Sequence, residues 1–262
     1  MKNIPKLNSL NSKEEIINFI KNKLNESNAN GIVVGLSGGI DSSLTAYLSC
    51  EAIGSENVLG ISMPSSTTPK EDNIHGKEIS RYLGIKYKEI DIDNILNEYL
   101  KEIKNENKTS KITIGNLKAR IRMNILYFYS NLNNYIVGGT GNKSELLIGY
   151  FTKYGDGACD LEPIGHLYKT QIIKLAKEWN IPNEIIEKPP RAGLWDNQSD
   201  EEEIGMSYEL LDRVLYMLID ENMDKNEIAK ILDIPVKEID KIISRIENNK
   251  HKNKIPETPE SY

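Results

Sequence analysis

The chain has 262 residues and a net charge of -6. That length fits one α/β domain with decorations and leaves no room for a second full catalytic domain, and the acidic balance argues against an extended nucleic-acid surface. Residues 1–10 have no apolar signal core and no apolar run is long enough to span a bilayer, so a cytoplasmic protein without a membrane partner is expected.

Ile16, Ile17, Phe19, Ile20 and Leu24 recur at helical spacing behind Asn11 and Ser12, which predicts a capped amphipathic helix. Residues 32–36 then read as a strand, 42–53 as a helix closed by Gly54, and 58–63 as a strand. Residues 70–83 read as a helix closed by Gly84, and 85–90 as a strand. Strands separated by single helices predict parallel pairing and right-handed crossovers, hence a doubly wound α/β sheet with flanking helices and ligands at its carboxyl edge. Residues 92–103 suit a helix, 104–111 a polar loop, 114–132 a long helix, and 135–137 a short strand leading into Gly138-Gly139-Thr140-Gly141.

Four acids in a row, Asp200 to Glu203, read as a solvated surface or lid, because like charges in sequence rarely find as many partners. Residues 208–219, 225–232 and 236–246 form further helices. The last two, joined through Asp233-Ile234-Pro235, imitate a helix-turn-helix, but acids match their lysines and Arg245 in number, and phosphate contacts need a basic excess. The helical part from about residue 207 is expected to belong to one domain spanning 1–262. Cys50 and Cys159 are too few for a disulfide framework and lack zinc-site spacing.

The chemistry begins at Gly35-Leu36-Ser37-Gly38-Gly39-Ile40-Asp41-Ser42, directly behind the apolar Ile32-Val33-Val34. A buried strand that breaks into a glycine turn and restarts as a helix leaves backbone N–H groups pointing at one spot, an anion site suited to nucleotide phosphate. The usual Gly-Lys-Ser/Thr ending is absent, and an acid stands there instead. A carboxylate beside phosphate oxygens is repulsive by roughly 4 kcal/mol at 4 Å and an effective dielectric of ~20. A divalent cation between them reverses the sign, which makes Asp41 a candidate Mg²⁺ ligand; the plain alternative is a helix-capping acid.

Gly139-Thr140-Gly141-Asn142-Lys143-Ser144-Glu145 repeats that logic. Glu145 either shares the cation of Asp41 or is the N3 acid of a capping box begun by Asn142. The stretch from Gly149 to Asp160, with Tyr150, Phe151 and Tyr154 among glycines and charges, suits a loop that stacks a flat ring, or an aromatic surface loop packed on its own strand.

The first loop resembles the Ser-Gly-Gly-x-Asp-Ser signature of the ATP pyrophosphatases, which cleave ATP between its α and β phosphates. Phe151-Thr152-Lys153-Tyr154-Gly155-Asp156-Gly157, following Gly139-Thr140-Gly141-Asn142 and Glu145, is similar to NAD synthetases in particular. So are Asn116-Leu117-Lys118-Ala119-Arg120-Ile121-Arg122-Met123, Leu167-Tyr168-Lys169-Thr170, Ala192-Gly193-Leu194-Trp195 and His251-Lys252, in the family's order.

The resemblance implies an adenine nucleotide alpha hydrolase-like fold. It makes Gly35, Leu36, Ser37, Gly38, Gly39, Ile40, Asp41, Ser42, Thr140 and Lys169 ATP contacts, and Asp41 and Glu145 the Mg²⁺ ligands. Arg120, Lys153, Asp160, His251 and Lys252 become contacts to nicotinic acid adenine dinucleotide (deamido-NAD). Asp41 and Lys169 carry the catalytic charge. Arg191 departs from the pattern, because the family usually has Ser or Thr touching ATP there; a guanidinium at that point either binds phosphate or pairs with the acids at 200–203. The implied reaction is ATP-dependent amidation of deamido-NAD with free ammonia through an adenylated intermediate, in a homodimer whose interface includes the helix at 114–132. Ammonia is expected as the direct donor because Gly35 lies too near the amino terminus for a preceding glutaminase domain. The rivals are another adenylating ligase and a nucleotide sensor without turnover, which would have no use for Glu145, Lys153 and Asp160 together.

Overall fold

Ile32, Val33 and Val34 are all fully buried, as a strand covered on both faces requires. In the computed structural model, which describes residues 4–103, 109–191, 193–195 and 198–259, they form β1 (Gly31–Gly35) inside a four-stranded parallel sheet. The chain enters through α1 (Ser9–Ser27) and crosses from β1 by α2 (Ile40–Ile53) to β2 (Val58–Ser62) and by α3 (Lys70–Leu83) to β3 (Lys86–Glu89). It returns through α4 (Asp93–Glu102) and α5 (Lys111–Asn133) to β4 (Tyr135–Gly138) on the far side of β1. The strand order is β3-β2-β1-β4, with Val34 opposite both Gly60 and Gly138. Strand order therefore reverses between β1 and β4, and the loops leaving these strands open a crevice at the carboxyl edge.

Beyond β4 follow α6 (Lys143–Ile148), α7 (Lys169–Glu178), α8 (Asn183–Ile186), α9 (Asp200–Ile204), α10 (Tyr208–Leu215), α11 (Lys225–Leu232) and α12 (Val236–Asn249). Alternate residues of β1 serve opposite layers. Ile32 and Val34 pack with residues of α1, α2, α7 and α8, whereas Val33 joins Leu59 and Ile61 against Leu96 of α4 and Ile121 of α5. A separate apolar core joins Ile148 of α6 to Leu211, Val214, Ile228, Ile239 and Ile242 of the C-terminal helices. The edge strand β3 exposes Lys86, Lys88 and Glu89, charges that discourage pairing with another sheet.

Several boundaries differ from the sequence expectation. Asn8, not Asn11 or Ser12, caps α1 by accepting the Asn11 N–H. Helix α2 starts at Ile40 rather than Ser42, so Asp41 lies inside its first turn, and its N-cap Gly39 offers no side-chain bond. The acidic run is itself a short helix, α9, and the helix expected at 208–219 changes at Leu215 into a wider π turn, Tyr216–Asp220. The polar loop read at 104–111 falls, up to 108, outside the described residues, as does Ala192. Among the described residues no helix is long and apolar enough to cross a membrane.

Candidate active site

The Ser-Gly-Gly loop is held by its own hydroxyls. Ser42 Oγ donates to Gly39 O (3.0 Å), Ser43 Oγ donates to the same carbonyl (2.9 Å), and the Gly39 N–H donates to Ser37 Oγ at 3.3 Å. Gly38 has φ +71°, and a Cβ there would stand 2.1 Å from the Asp72 carbonyl oxygen, so the turn needs glycine and packs tightly on the start of α3. Because α2 has no side-chain cap, its first N–H groups are left for an external acceptor. Gly35, Leu36, Ser37, Gly39, Ile40, Asp41 and Ser42 line a cavity of ≈ 1630 Å³ over the carboxyl edge of the sheet. The side chains of Leu36 and Ile40 are core residues, which leaves their backbone for any ligand.

Thr140, Glu145 and Lys169 line the same cavity from the opposite side of the switch point. Lys169 Nζ donates to one carboxylate oxygen of Asp41, and Asn142 Nδ2 donates to the other at 3.1 Å. Of the two roles its spacing allowed Glu145, the capping box is present. Asn142 and Glu145 form a reciprocal capping box at the start of α6, and Glu145 also faces the cavity, with Tyr208 OH 3.4 Å from its second oxygen. Burial, and next the Asp41 charge, push the Glu145 carboxyl well above its ordinary range, against the pull of Lys169. For Lys169 burial disfavours the ammonium, but Asp41 and Glu145 outweigh it and the shift is upward. Two acids that repel each other in a desolvated site suit a cation between them. Among the described residues no three acidic, histidine or cysteine side chains converge as a metal cluster, so the rest of an oxygen shell would come from phosphate and water.

The expectation that 200–203 is a solvated surface or lid is corrected at Asp200, whereas Glu202 and Glu203 are exposed. Asp200 is 4% exposed and lines the cavity, as do Glu201 and Glu203. The Tyr150 hydroxyl lies 3.0 Å from a carboxylate oxygen of both Asp200 and Glu203. Burial raises the Asp200 carboxyl, and Lys169 pulls it down. Asp200, Tyr150 and Tyr208 are site residues that the sequence reading did not assign. Charge count alone hid Asp200, because nothing in the run distinguishes its buried first member from its neighbours.

Arg191 also lines the cavity, but its acidic partners are not those at 200–203. The guanidinium bonds Glu71 and Asp72 at the start of α3, the latter at 2.7 Å. Asp72 is shared with Lys188, whose Nζ lies 2.6 Å from it and donates to Gly38 O at 3.0 Å. Two cations thus meet one buried carboxylate beside the glycine loop, and among the described residues Arg191 Nε has no hydrogen-bond partner.

The second set of residues divides. Lys252 lines the cavity and donates to the carbonyls of Gly149 (2.7 Å) and Phe151 (2.9 Å). Arg120 on α5 donates to the Lys153 carbonyl at 3.2 Å, and Lys153 Nζ donates to the His251 carbonyl at 2.8 Å, which forms a connected cluster beside the cavity rather than on its lining. Asp160 accepts the Val137 N–H (2.7 Å) and the Tyr127 hydroxyl (3.1 Å) at the edge of β4.

A parallel sheet with this loop at its switch point defines an adenine nucleotide alpha hydrolase-like α/β protein. The chain belongs to the NAD synthase family, whose model matches residues 12–256. It is 50% identical over 254 residues to the NH(3)-dependent NAD(+) synthetase of Methanocaldococcus jannaschii, covering 95% of this chain and 98% of that one. Its identity to the enzyme of that name from Methanosarcina acetivorans is 47% over 252 residues, 96% and 98% of the two chains. Among solved structures it resembles the NH3-dependent NAD synthetase of Campylobacter jejuni in complex with nitrate (TM-score 0.82, 35% identity, 97% and 100% coverage). It also resembles the NMN synthetase of Francisella tularensis (TM-score 0.86, 31% identity, 97% and 99% coverage).

Proposed function

We propose that the chain amidates deamido-NAD with ammonia to give NAD, coupled to cleavage of ATP into AMP and pyrophosphate. The observation that carries this reading is the meeting of Asp41, Asn142 and Lys169 over the uncapped start of α2, in a chain of the NAD synthase family. A pyridine carboxylate is a poor electrophile. Its oxygen attacks the α-phosphorus, the bond to the bridging oxygen breaks, and pyrophosphate leaves with that electron pair. The ammonia nitrogen then attacks the carboxyl carbon, AMP departs, and one proton passes to solvent.

In this reading Gly35 to Ser42 and Thr140 hold ATP, and the Ser37–Gly39 backbone receives the departing pyrophosphate. The Lys169 ammonium neutralises the charge that develops on it. Asp41 and Glu145 fit a Mg²⁺ ion, which when bound neutralises phosphate charge. Arg191 contacts ATP from the cavity wall, where a phosphate competes with Glu71 and Asp72 for its guanidinium. Arg120, Lys153, Asp160, His251 and Lys252 receive the dinucleotide.

On α5, Arg120, Asn124, Phe128 and Leu132 are exposed and four residues apart, so they form one stripe. That stripe runs on from the Arg120 cluster and favours a homodimer whose interface borders the dinucleotide site.

Incubation with ATP, Mg²⁺, ammonium and deamido-NAD should yield AMP and NAD in equal amounts. ADP, or no turnover, overturns the reading. The likeness to the Francisella NMN synthetase supplies the second reading. A parallel assay with nicotinic acid mononucleotide decides it, and a higher kcat/KM for the mononucleotide than for the dinucleotide would reassign the substrate.

A further inference from the structure

Glu145 and Lys169 stand in the first turns of α6 and α7, helices of six and ten residues. The parts that join these two helix starts come from the C-terminal layer. Asp212 of α10 is 0% exposed and is bonded by groups of both helices: Ser144 Oγ donates to one carboxylate oxygen, and the Thr170 N–H donates to the other at 2.8 Å. Ser144 Oγ in turn accepts the Lys169 N–H at 3.0 Å. Asp220 repeats the arrangement one step outward. Lys143 Nζ donates to it at 2.7 Å and Tyr168 OH at 2.9 Å.

Each acid therefore ties the start of α6 to the start of α7. In an α-helix two residues eight apart lie about 80° apart around the axis. The wider π turn over Tyr216–Asp220 winds more slowly and brings Asp220 round toward the face of Asp212. Burying a carboxylate among a hydroxyl and a backbone N–H is costly, and an apolar side chain would serve packing alone better. The negative charge also suits the amino end of α7.

We propose that Asp212 is a positioning residue for the amidation: through Ser144 and Thr170 it sets Glu145 against Lys169, and so Lys169 against Asp41. The inference rests on the reading of Lys169 as an ATP contact.

The test uses the full chain with Asp212→Ala, Asp212→Asn and Ser144→Ala, beside Ile228→Ala as a variant that loses core contacts in the same layer without touching the two bridges. Melting temperature, kcat, the KM for ammonium and ATP affinity by calorimetry at fixed Mg²⁺ are measured for each. Asp212→Ala should lower kcat about tenfold or more and weaken ATP binding several-fold, with the ammonium KM unchanged, since small displacements of a charged group are costly in the transition state. Asp212→Asn, which can still accept the Thr170 N–H, should recover part of the loss. Ser144→Ala should lose kcat in the same direction, and it keeps the test open if Asp212→Ala fails to fold. Ile228→Ala should lose melting temperature while keeping kcat within about twofold of the parent. In a Lys169→Ala background Asp212→Asn should change ATP affinity by less than about twofold. The proposal is overturned if Asp212→Asn and Ser144→Ala keep parental kcat, if kcat in all variants simply follows melting temperature, or if the Asp212 effect on ATP persists without Lys169. If Lys169→Ala binds ATP as the parent does, it is the ATP assignment of Lys169 that fails, a result separate from the other three.

Discussion

Asp41 accepts from Lys169 and Asn142 while facing the place where the first turn of α2 leaves its N–H groups free. Removing its charge deprives the buried Lys169 ammonium of its nearest partner and would leave the proposed Mg²⁺ with one carboxylate ligand in place of two. Asp41→Asn and Glu145→Gln should each lower kcat about a hundredfold or more with the fold intact, the scale of preorganised electrostatic groups. Unchanged Mg²⁺ dependence of turnover in both variants would remove the shared-cation reading. Arg191 gives a subtler case. Arg191→Ala should weaken ATP binding by about 1.5 kcal/mol or more, as for a hydrogen bond to a charged group, and Arg191→Thr should restore part of it. Equal ATP affinity in parent and both variants, by titration at fixed Mg²⁺, would leave Arg191 as a tether to Glu71 and Asp72 alone. At this scale the phosphate loop was legible because its spacing forces its geometry. Asp200 was not, because burial of one acid in a run of four depends on where Tyr150 and the start of α9 fall in space.

The loop from β1 to α2 behaves as an element in its own right, braced from α3 and from the chain after α8. Lys188 grips the Gly38 carbonyl and Asp72 together, in an ion pair only 8% exposed on either side. Gly38→Ala must place a Cβ into the Asp72 carbonyl at a positive φ, so it should cost about 1–3 kcal/mol of stability and most of the ATP affinity. Urea melts with and without ATP check this, and an ATP-induced shift as large as the parent's would show that the turn tolerates a side chain. The same contrast explains what the sequence revealed of the fold. Strands β1 and β2 are covered on both faces and announce themselves by the apolar residues Ile32-Val33-Val34 and Val58-Leu59-Gly60-Ile61. Helix α9 does not, because its buried first residue, Asp200, serves the cavity, and a polar residue at a buried position erases the periodicity by which a helix is recognised. The π turn after α10 has no local sequence signal either; the Asp220 contacts to Lys143 and Tyr168 that accompany it are long-range.

Across the whole molecule, stability should depend on pH through Glu162, whose carboxylate accepts the Gly141 N–H at 2.9 Å and faces Cys159. Burial pushes it up from the ordinary 4.5 to about 7, against the pull of those two contacts. Between these values the unfolded chain has released a proton that the fold still holds, so stability falls as pH rises through the window. The slope is at most about 1.4 kcal/mol per pH unit and the total on the order of 3 kcal/mol. Glu162→Gln lacks this titration, and subtracting its melts from the parent's cancels the other buried acids. The variant should gain on the parent from pH 4.5 to 8; identical pH profiles would refute the assignment.

Assembly is the last property that the surface bears on. Phe128 and Leu132 of α5 are 61% and 65% exposed, and Ile95, Tyr99 and Ile103 leave further apolar area bare on and just after the neighbouring α4. Large apolar side chains on one layer mark an interaction surface more often than a solvated one. Because Arg120 continues the same stripe, a second copy docked there would complete the surroundings of the Arg120–Lys153–His251 cluster. Phe128→Asp adds a charge at an exposed site, so it should leave the monomer fold within about 0.5 kcal/mol of the parent. It should, however, separate the proposed dimer and raise the KM for deamido-NAD more than that for ATP, whose proposed contacts lie on other elements. Sedimentation velocity beside steady-state kinetics measures both. A parent that sediments as a monomer while fully active, or a monomeric Phe128→Asp with parental KM for deamido-NAD, would rule out a shared dinucleotide site.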